Sequence, residues 1–187
     1  MGKDKKKQPL AKVLSSKTVF HSNIFDVVEQ KVVEPEGVTA TRAIVTHPGS
    51  VVVLPVFPDG RVLLIRQYRH SAKDYLWEAV AGRKDPGETF EAGAHRELKE
   101  ETGYTAKKLR QMMDVFPTPG LVAENMVIFA AEGLKEGKAT PEADEKITSR
   151  ILKLKKAEKW IRTGKIRDAK TVCAVLYYSK FLAKKKK

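Results

Sequence analysis

The sequence predicts an α/β fold with a small antiparallel β unit ahead of it, and three observations carry that expectation. β-Branched runs separated by turn signals fill residues 17–68, one acidic helix-forming stretch spans Thr89–Thr102, and two amphipathic helical patterns follow residue 155. Strand-like runs interleaved with a 3.6-residue periodicity indicate a fold that mixes strands and helices.

In chain order, Lys17–Phe20, Ile24–Val33 and Val38–His47 are rich in β-branched residues, with Pro35-Glu36-Gly37 between the last two. They read as an antiparallel unit joined by a turn. Val51–Phe57 and Arg61–Tyr68 follow as two core strands, and the Pro58-Asp59-Gly60 between them carries an Asp-Gly hairpin signal. Thr89–Thr102 is predicted as a helix that stops at Gly103, since glycine adopts the left-handed cap without a Cβ clash. Strands are expected near Lys107–Val115, Asn125–Glu132 and Ile147–Leu154, where β-branched and apolar residues lie between Gly, Pro or acidic breaks. Lys156–Thr163 and Asp168–Leu182 space their apolar residues as two amphipathic helices, with Asp168 as the N-cap of the second.

The 187 residues suffice for one domain with a real core. The boundaries fall as a basic tail at 1–12, an N-terminal β subdomain at 13–47, a main domain at 48–183 and a second basic tail at 184–187. No apolar run approaches the roughly 18 residues of a membrane span. The Lys-rich Met1–Pro9 leads into no apolar segment of secretory type. A soluble, cytoplasmic protein without a membrane partner is expected. The net charge of +13 concentrates in part at the ends, on Lys3, Lys5, Lys6, Lys7 and Lys12 and on Lys180 and Lys184–Lys187. Such runs are ordinarily solvated tails, so nucleic acid is not the expected partner. The single cysteine, Cys173, excludes an internal disulfide and a Cys-rich metal site, and its apolar surroundings from Val172 to Tyr178 predict a buried thiol.

One segment concentrates chemistry: Gly82, five residues, Glu88, seven residues, then Arg96-Glu97-Leu98-Lys99-Glu100-Glu101-Thr102-Gly103-Tyr104. On a helix Glu97, Glu100 and Glu101 share one side. Like charges so placed repel, and a cation between them resolves the repulsion. Oxygen donors alone indicate a hard ion, Mg²⁺ rather than Zn²⁺, because Mg²⁺ works through carboxylates, waters and substrate phosphates. Gly93 inside the helix costs about 1 kcal/mol relative to alanine, which leaves close packing by another backbone or simple drift as its explanation.

A chance match to the whole spacing is on the order of 10⁻⁹ per starting position. The chain resembles the Nudix family, whose signature is G-x5-E-x7-R-E-U-x-E-E-x-G-U with U apolar, and Tyr104 fills the last position. The resemblance implies a Nudix α/β/α sandwich with a mixed sheet, preceded here by the small antiparallel β appendage. It also implies Mg²⁺, with Mn²⁺ as a substitute, held by Glu97, Glu100, Glu101 and the backbone carbonyl of Ala81. Glu88 and Arg96 are expected to brace the loop and helix by ion pairing.

Three features outside this box resemble the ADP-ribose pyrophosphatase branch. Arg66-Gln67-Tyr68-Arg69 ends a strand with planar donors suited to phosphate, and Arg69 resembles the branch's diphosphate-contacting arginine, with Arg66 beside it. Trp77-Glu78-Ala79-Val80-Ala81-Gly82 is similar to the branch's Glu-x-Pro-Ala-Gly run, with Val80 where proline is usual. Glu78 is expected to accept ribose hydroxyls, its alternative being a structural hydrogen bond. Pro119 stands where the resemblance places a proline associated with ADP-ribose cleavage, and Glu124 is a terminal-ribose candidate. There Val122-Ala123 precedes the glutamate instead of the more usual acidic or hydroxyl residue. Glu142–Ile147 resembles the acidic loop that supplies a catalytic glutamate, matched by Glu145. With Glu97 and Glu101, Glu145 completes the set expected to carry catalysis. The branch further implies a homodimer built through residues 13–47, with Phe25 and Arg42 as candidates to stack on adenine. The function so implied is Mg²⁺-dependent hydrolysis of a small nucleoside diphosphate, ADP-ribose, to AMP and ribose 5-phosphate. A nucleotide-sugar pyrophosphatase of GDP-mannose type is the alternative, followed by an RNA 5′-end pyrophosphohydrolase or basic RNA-binding protein.

Overall fold

The computed structural model describes residues 9–140 and 146–183. In chain order the elements are β1 (Lys12–His21), β2 (Asp26–Val33), β3 (Thr39–Thr46), β4 (Ser50–Pro55), β5 (Arg61–Arg69), β6 (Asp74–Glu78), β7 (Val80–Arg83), α1 (Phe90–Thr102), β8 (Lys108–Val115), β9 (Val122–Ala123), β10 (Met126–Glu132), β11 (Thr148–Lys153), α2 (Leu154–Arg162) and α3 (Ala169–Tyr177), the last running on into a π-helical turn at Tyr178–Leu182. The chain divides into two compact units, one reaching to His47 and including Thr118–Glu124, the other made of Pro48–Pro117 and the residues from Asn125 onward.

The first unit is a four-stranded sheet in the order β1-β2-β3-β9. β2 pairs antiparallel with β1 and β3, while the two residues of β9 lie parallel to β3, with Val45 opposite Val122. Every residue of the edge strand β1 is exposed. β1 begins at Lys12, earlier than the expected Lys17, because its backbone already pairs with β2 there, Lys12 opposite Val33.

In the second unit, β7-β4-β10-β8 form a mixed sheet in which β4 and β10 run parallel, and β11-β5-β6 form an antiparallel one. All of β4 is buried, so its alternate residues serve two cores. Val51 and Val53 join Leu63, Ile65, Val127 and Phe129 against Ala94 and Leu98 of α1. Val52 and Leu54 join Val62, Leu64, Ile128 and Ala130 against Ala157 and Trp160 of α2 and Ala174 and Val175 of α3. Helices packed on both sides of the buried strands β4, β5 and β10 make the α/β/α sandwich.

Local chemistry fixes the helix ends. The Thr89 hydroxyl accepts from the Ala92 N–H at 3.1 Å and starts α1. Gly103 closes it at φ +77°, donating its N–H to Lys99 O at 2.8 Å. A Cβ on Gly103 would also stand 2.5 Å from Gly137 O and 2.7 Å from Ala139 N, so close approach requires glycine there as much as the dihedral does.

Three expectations need correction. The Pro58-Asp59-Gly60 turn is present, with Gly60 at φ +80°, but β4 and β5 do not form a two-stranded hairpin. Beyond a single bridge between Val56 and Val62 they enter different sheets, because the Val56 N–H is taken by Ala131 O at 2.8 Å, beside β10. Cys173 is exposed rather than buried. The buried positions of this helix are Thr171, Ala174, Val175 and Tyr178, a three-and-four spacing that leaves residue 173 off the inward stripe. Short strands β6, β7 and β9 also occur where none was expected.

Candidate active site

The site grows from the junction of β7 with α1. Gly82 sits in β7 opposite Val51, and the Glu97 carboxylate lies directly over it, so that a Cβ at position 82 would overlap that carboxylate. Glycine here is a seat for the side chain, and no unusual dihedral is involved.

Arg96 collects the neighbouring acids. Its Nε and Nη2 each donate to Glu88 at 3.1 Å, its Nη1 donates to Glu97 at 2.7 Å and to Glu100 at 3.0 Å, and its Nη2 also donates to Arg83 O at 2.9 Å. A planar five-donor fork suits this role. The guanidinium hydrogen bonds hold the Glu88 carboxyl below its ordinary pKa, and the same bonds raise that of Arg96. Glu88 further accepts from the Asp85 N–H at 3.0 Å, tying the loop to the helix. The bracing expected of Glu88 and Arg96 is what their side chains do. Gly93 also finds a reason. A Cβ there would meet Glu88 Oε2 at 2.9 Å, so the space is taken by a side chain rather than by another backbone.

Glu101 is buried at 4% exposure and accepts from the Ala81 N–H at 3.2 Å. Glu97 and Glu100 share Arg96, whereas Glu101 turns toward β7. Among the described residues no three acidic, imidazole or thiol groups are placed as a ready metal site. The guanidinium between Glu97 and Glu100 is instead the cation that this arrangement contains. The donor set formed by Glu97, Glu100, Glu101 and the Ala81 backbone is oxygen only, which fits a hard divalent cation.

Beside it lies a buried charge cluster. Glu78, 1% exposed at its side chain, accepts from Arg69 Nε and Nη2 at 2.8 Å each and from Lys170 Nζ at 2.6 Å. Burial pushes the Glu78 pKa up, but the bonds and charges of Arg69 and Lys170 outweigh it, leaving the carboxyl below its ordinary value. Glu78 raises the Arg69 pKa in return, and the charge of Glu101 adds to that effect. Glu78 therefore has both oxygens engaged by its own chain, the structural alternative to ribose binding.

Arg66 and Arg69, three apart on a strand, point to opposite faces. Arg66 stacks over Tyr75, 4.9 Å from the ring centroid, lining a groove of about 380 Å³ with Asp74, Trp77, Lys165 and Arg167, so the two arginines do not form one phosphate clamp. Pro119 and Glu124 belong to the first unit, where Glu124 lies 3.8 Å from His47 Nδ1. There Phe25 packs on Phe20 with ring centroids 5.8 Å apart, and Arg42 donates to Glu34 at 2.9 Å. Glu145 lies outside the described residues. Sequence reasoning missed Lys170, which pairs with an acid 92 positions away, and the buried Gln67, whose Nε2 has no hydrogen-bond partner among the described residues. Neither carries a local signal.

A glutamate-rich helix and loop at the edge of an α/β/α sandwich define a class, and the NUDIX domain model matches residues 46–175, so the chain belongs to the NUDIX family. An ADP-ribose pyrophosphatase of Bacillus subtilis (strain 168) is 35% identical over 168 residues, covering 89% of this chain and 91% of the relative. A methanol dehydrogenase activator of Bacillus methanolicus is 32% identical over the same coverage. The crystal structure of an ADP compounds hydrolase superposes with a TM-score of 0.81 at 24% identity, covering 95% of this chain and 96% of the other, a likeness of fold.

Proposed function

We propose that the protein hydrolyses ADP-ribose to AMP and ribose 5-phosphate with Mg²⁺, which Mn²⁺ can replace. The observation that carries the reading is the gathering of two box acids on β7, with the Glu97 carboxylate seated on Gly82 and Glu101 accepting from the Ala81 N–H. Extensive likeness to an ADP-ribose pyrophosphatase supports the choice of substrate. Glu97, Glu100, Glu101 and the Ala81 carbonyl would hold the cation. Such a cation would neutralise charge on the diphosphate and lower the pKa of the attacking water.

The chain's own residues do the rest. Arg69 donates to the diphosphate oxygens, a planar fork against tetrahedral acceptors. Arg96 and Glu88 fix the loop and helix so that the carboxylates keep their spacing. Glu145, assigned from the sequence, accepts the proton of the attacking water. The water oxygen forms the new P–O bond, the bridging P–O bond breaks, and the bridging oxygen leaves with the second phosphate. Pro119 and Glu124 are assigned to the terminal ribose side, whereas Arg66, turned over Tyr75 on the other face of its strand, is left out of the phosphate-contacting set. The protein works as a cytoplasmic homodimer in this reading, for which the fully exposed edge strand β1 offers a pairing surface.

The test is chromatographic product formation with Mg²⁺ from ADP-ribose, GDP-mannose, diadenosine polyphosphates and triphosphorylated RNA. AMP from ADP-ribose as the dominant product is expected. Intact ADP-ribose alongside cleavage of another substrate would overturn the substrate and keep the chemistry.

A further inference from the structure

The two cations on Glu78 are not equivalent. Lys170 is 15% exposed and held from both sides, donating to Glu78 at 2.6 Å and to Asp168 Oδ1 at 2.8 Å. Asp168 caps α3 by accepting from the Thr171 N–H at 3.0 Å and accepts a hydrogen bond from the Thr171 hydroxyl as well. That hydroxyl oxygen accepts from the buried Ala79 N–H at 2.7 Å, next to Glu78 itself. Lys170 is thus built into the fold. Arg69 ends a strand, and its side chain is 38% exposed.

We propose that Lys170 is the resident counter-cation of Glu78, and that its presence lets Arg69 leave Glu78 for a phosphate oxygen of the substrate. Lys170 is a positioning residue that touches neither substrate nor reacting atoms. The inference rests on the reading of Arg69 as the diphosphate donor. An arginine locked to a buried carboxylate is a poor ligand for anything else, since its departure strands a negative charge away from water. A second, anchored cation reduces that penalty. Two cations also match two acids, Glu78 and Asp168, so the cluster is neutral while Arg69 is home. When Arg69 departs, Lys170 still bridges both carboxylates, and Thr171 still serves Asp168.

The experiment compares wild type, Lys170→Met, Lys170→Arg, Glu78→Gln and the Glu78→Gln/Lys170→Met double variant by steady-state kinetics. The substrate is whichever diphosphate of the panel above the wild type cleaves best, so that a wrong nucleoside assignment shows in the choice of substrate and not in the variants. Losing a charged hydrogen-bond partner makes Arg69 harder to release, and KM of Lys170→Met should rise about ten-fold or more while kcat changes less than about three-fold. Lys170→Arg should restore KM to within about three-fold, and in the Glu78→Gln background the Lys170→Met change should cost no more than about two-fold. If Lys170→Met fails to fold, Lys170→Gln, which keeps a donor without the charge, carries the same expectation. An unchanged KM, a loss confined to kcat, or an equal loss in both backgrounds overturns the proposal. So does a wild type that cleaves no diphosphate of the panel.

Discussion

Substituting Gly82 by alanine should separate the seat of Glu97 from every other property of the box. Gly82 needs no left-handed backbone, since its φ is not among the positive ones, so alanine brings no dihedral strain. What it brings is a methyl group where the Glu97 carboxylate now lies. The carboxylate must move by an ångström or more and give up or distort its 2.7 Å bond from Arg96. Because the Arg96 side chain is 27% exposed, that bond is discounted for solvent screening to about 1 kcal/mol of stability. For a chain of this size that corresponds to roughly 2–4 °C in melting temperature. Catalysis should suffer far more, by about 100-fold in kcat, the usual cost of misplacing a group in the reacting geometry by about 1 Å. The assay is kcat across a Mg²⁺ titration together with a thermal melt. Adding Glu97→Gln to Gly82→Ala should cost little further, because the group is already displaced. Wild-type kcat at wild-type Mg²⁺ concentration in Gly82→Ala would refute the idea that glycine is there for Glu97.

Glu101→Gln keeps an acceptor for the Ala81 N–H, so its melting temperature should stay within a few degrees of wild type while turnover falls by about 100-fold or more; near-normal turnover would remove Glu101 from the cation-holding set. The Glu78 carboxyl has a depressed pKa in the fold, so its ionised form contributes stability that is present above the unfolded value of about 4.3 and is lost as pH falls below it toward the folded value. The stability gap between wild type and Glu78→Gln, from urea melts, should therefore narrow as pH falls below the unfolded value of about 4.3, and a constant gap would contradict the ion-paired assignment. Exposed Cys173 should react stoichiometrically with a thiol reagent in native buffer, and labelling that requires denaturant would restore it to the core.

The box was legible because its information is local. Gly82, Glu88 and Arg96–Glu101 fall within one short strand, the loop after it and one helix, where spacing largely sets which side chains meet. The buried strands β4, β5 and β10 were legible from β-branched runs. What stayed hidden depends on contacts between distant segments. Nothing near Lys170 announces an acid 92 positions away, and nothing near Thr118–Glu124 announces that it joins the N-terminal unit. The separation of Arg66 from Arg69 could have been read, since three residues on a strand always change face. Their shared chemistry obscured their geometry.

β9 carries a consequence for how this chain can be cut and recombined. The N-terminal sheet is completed by residues that arrive at Val122, 76 positions after β3 ends at Thr46, so the backbone passes between the two units three times, after residues 47, 117 and 124. One scission at residue 47 would not liberate a finished module, because Val122 and Ala123 would stay with the remainder and β3 would lose its parallel neighbour. Gain, loss or exchange of this sheet between relatives therefore demands coordinated change at two remote places in the gene, and grafting residues 13–47 alone onto another scaffold would transplant a sheet with an open side.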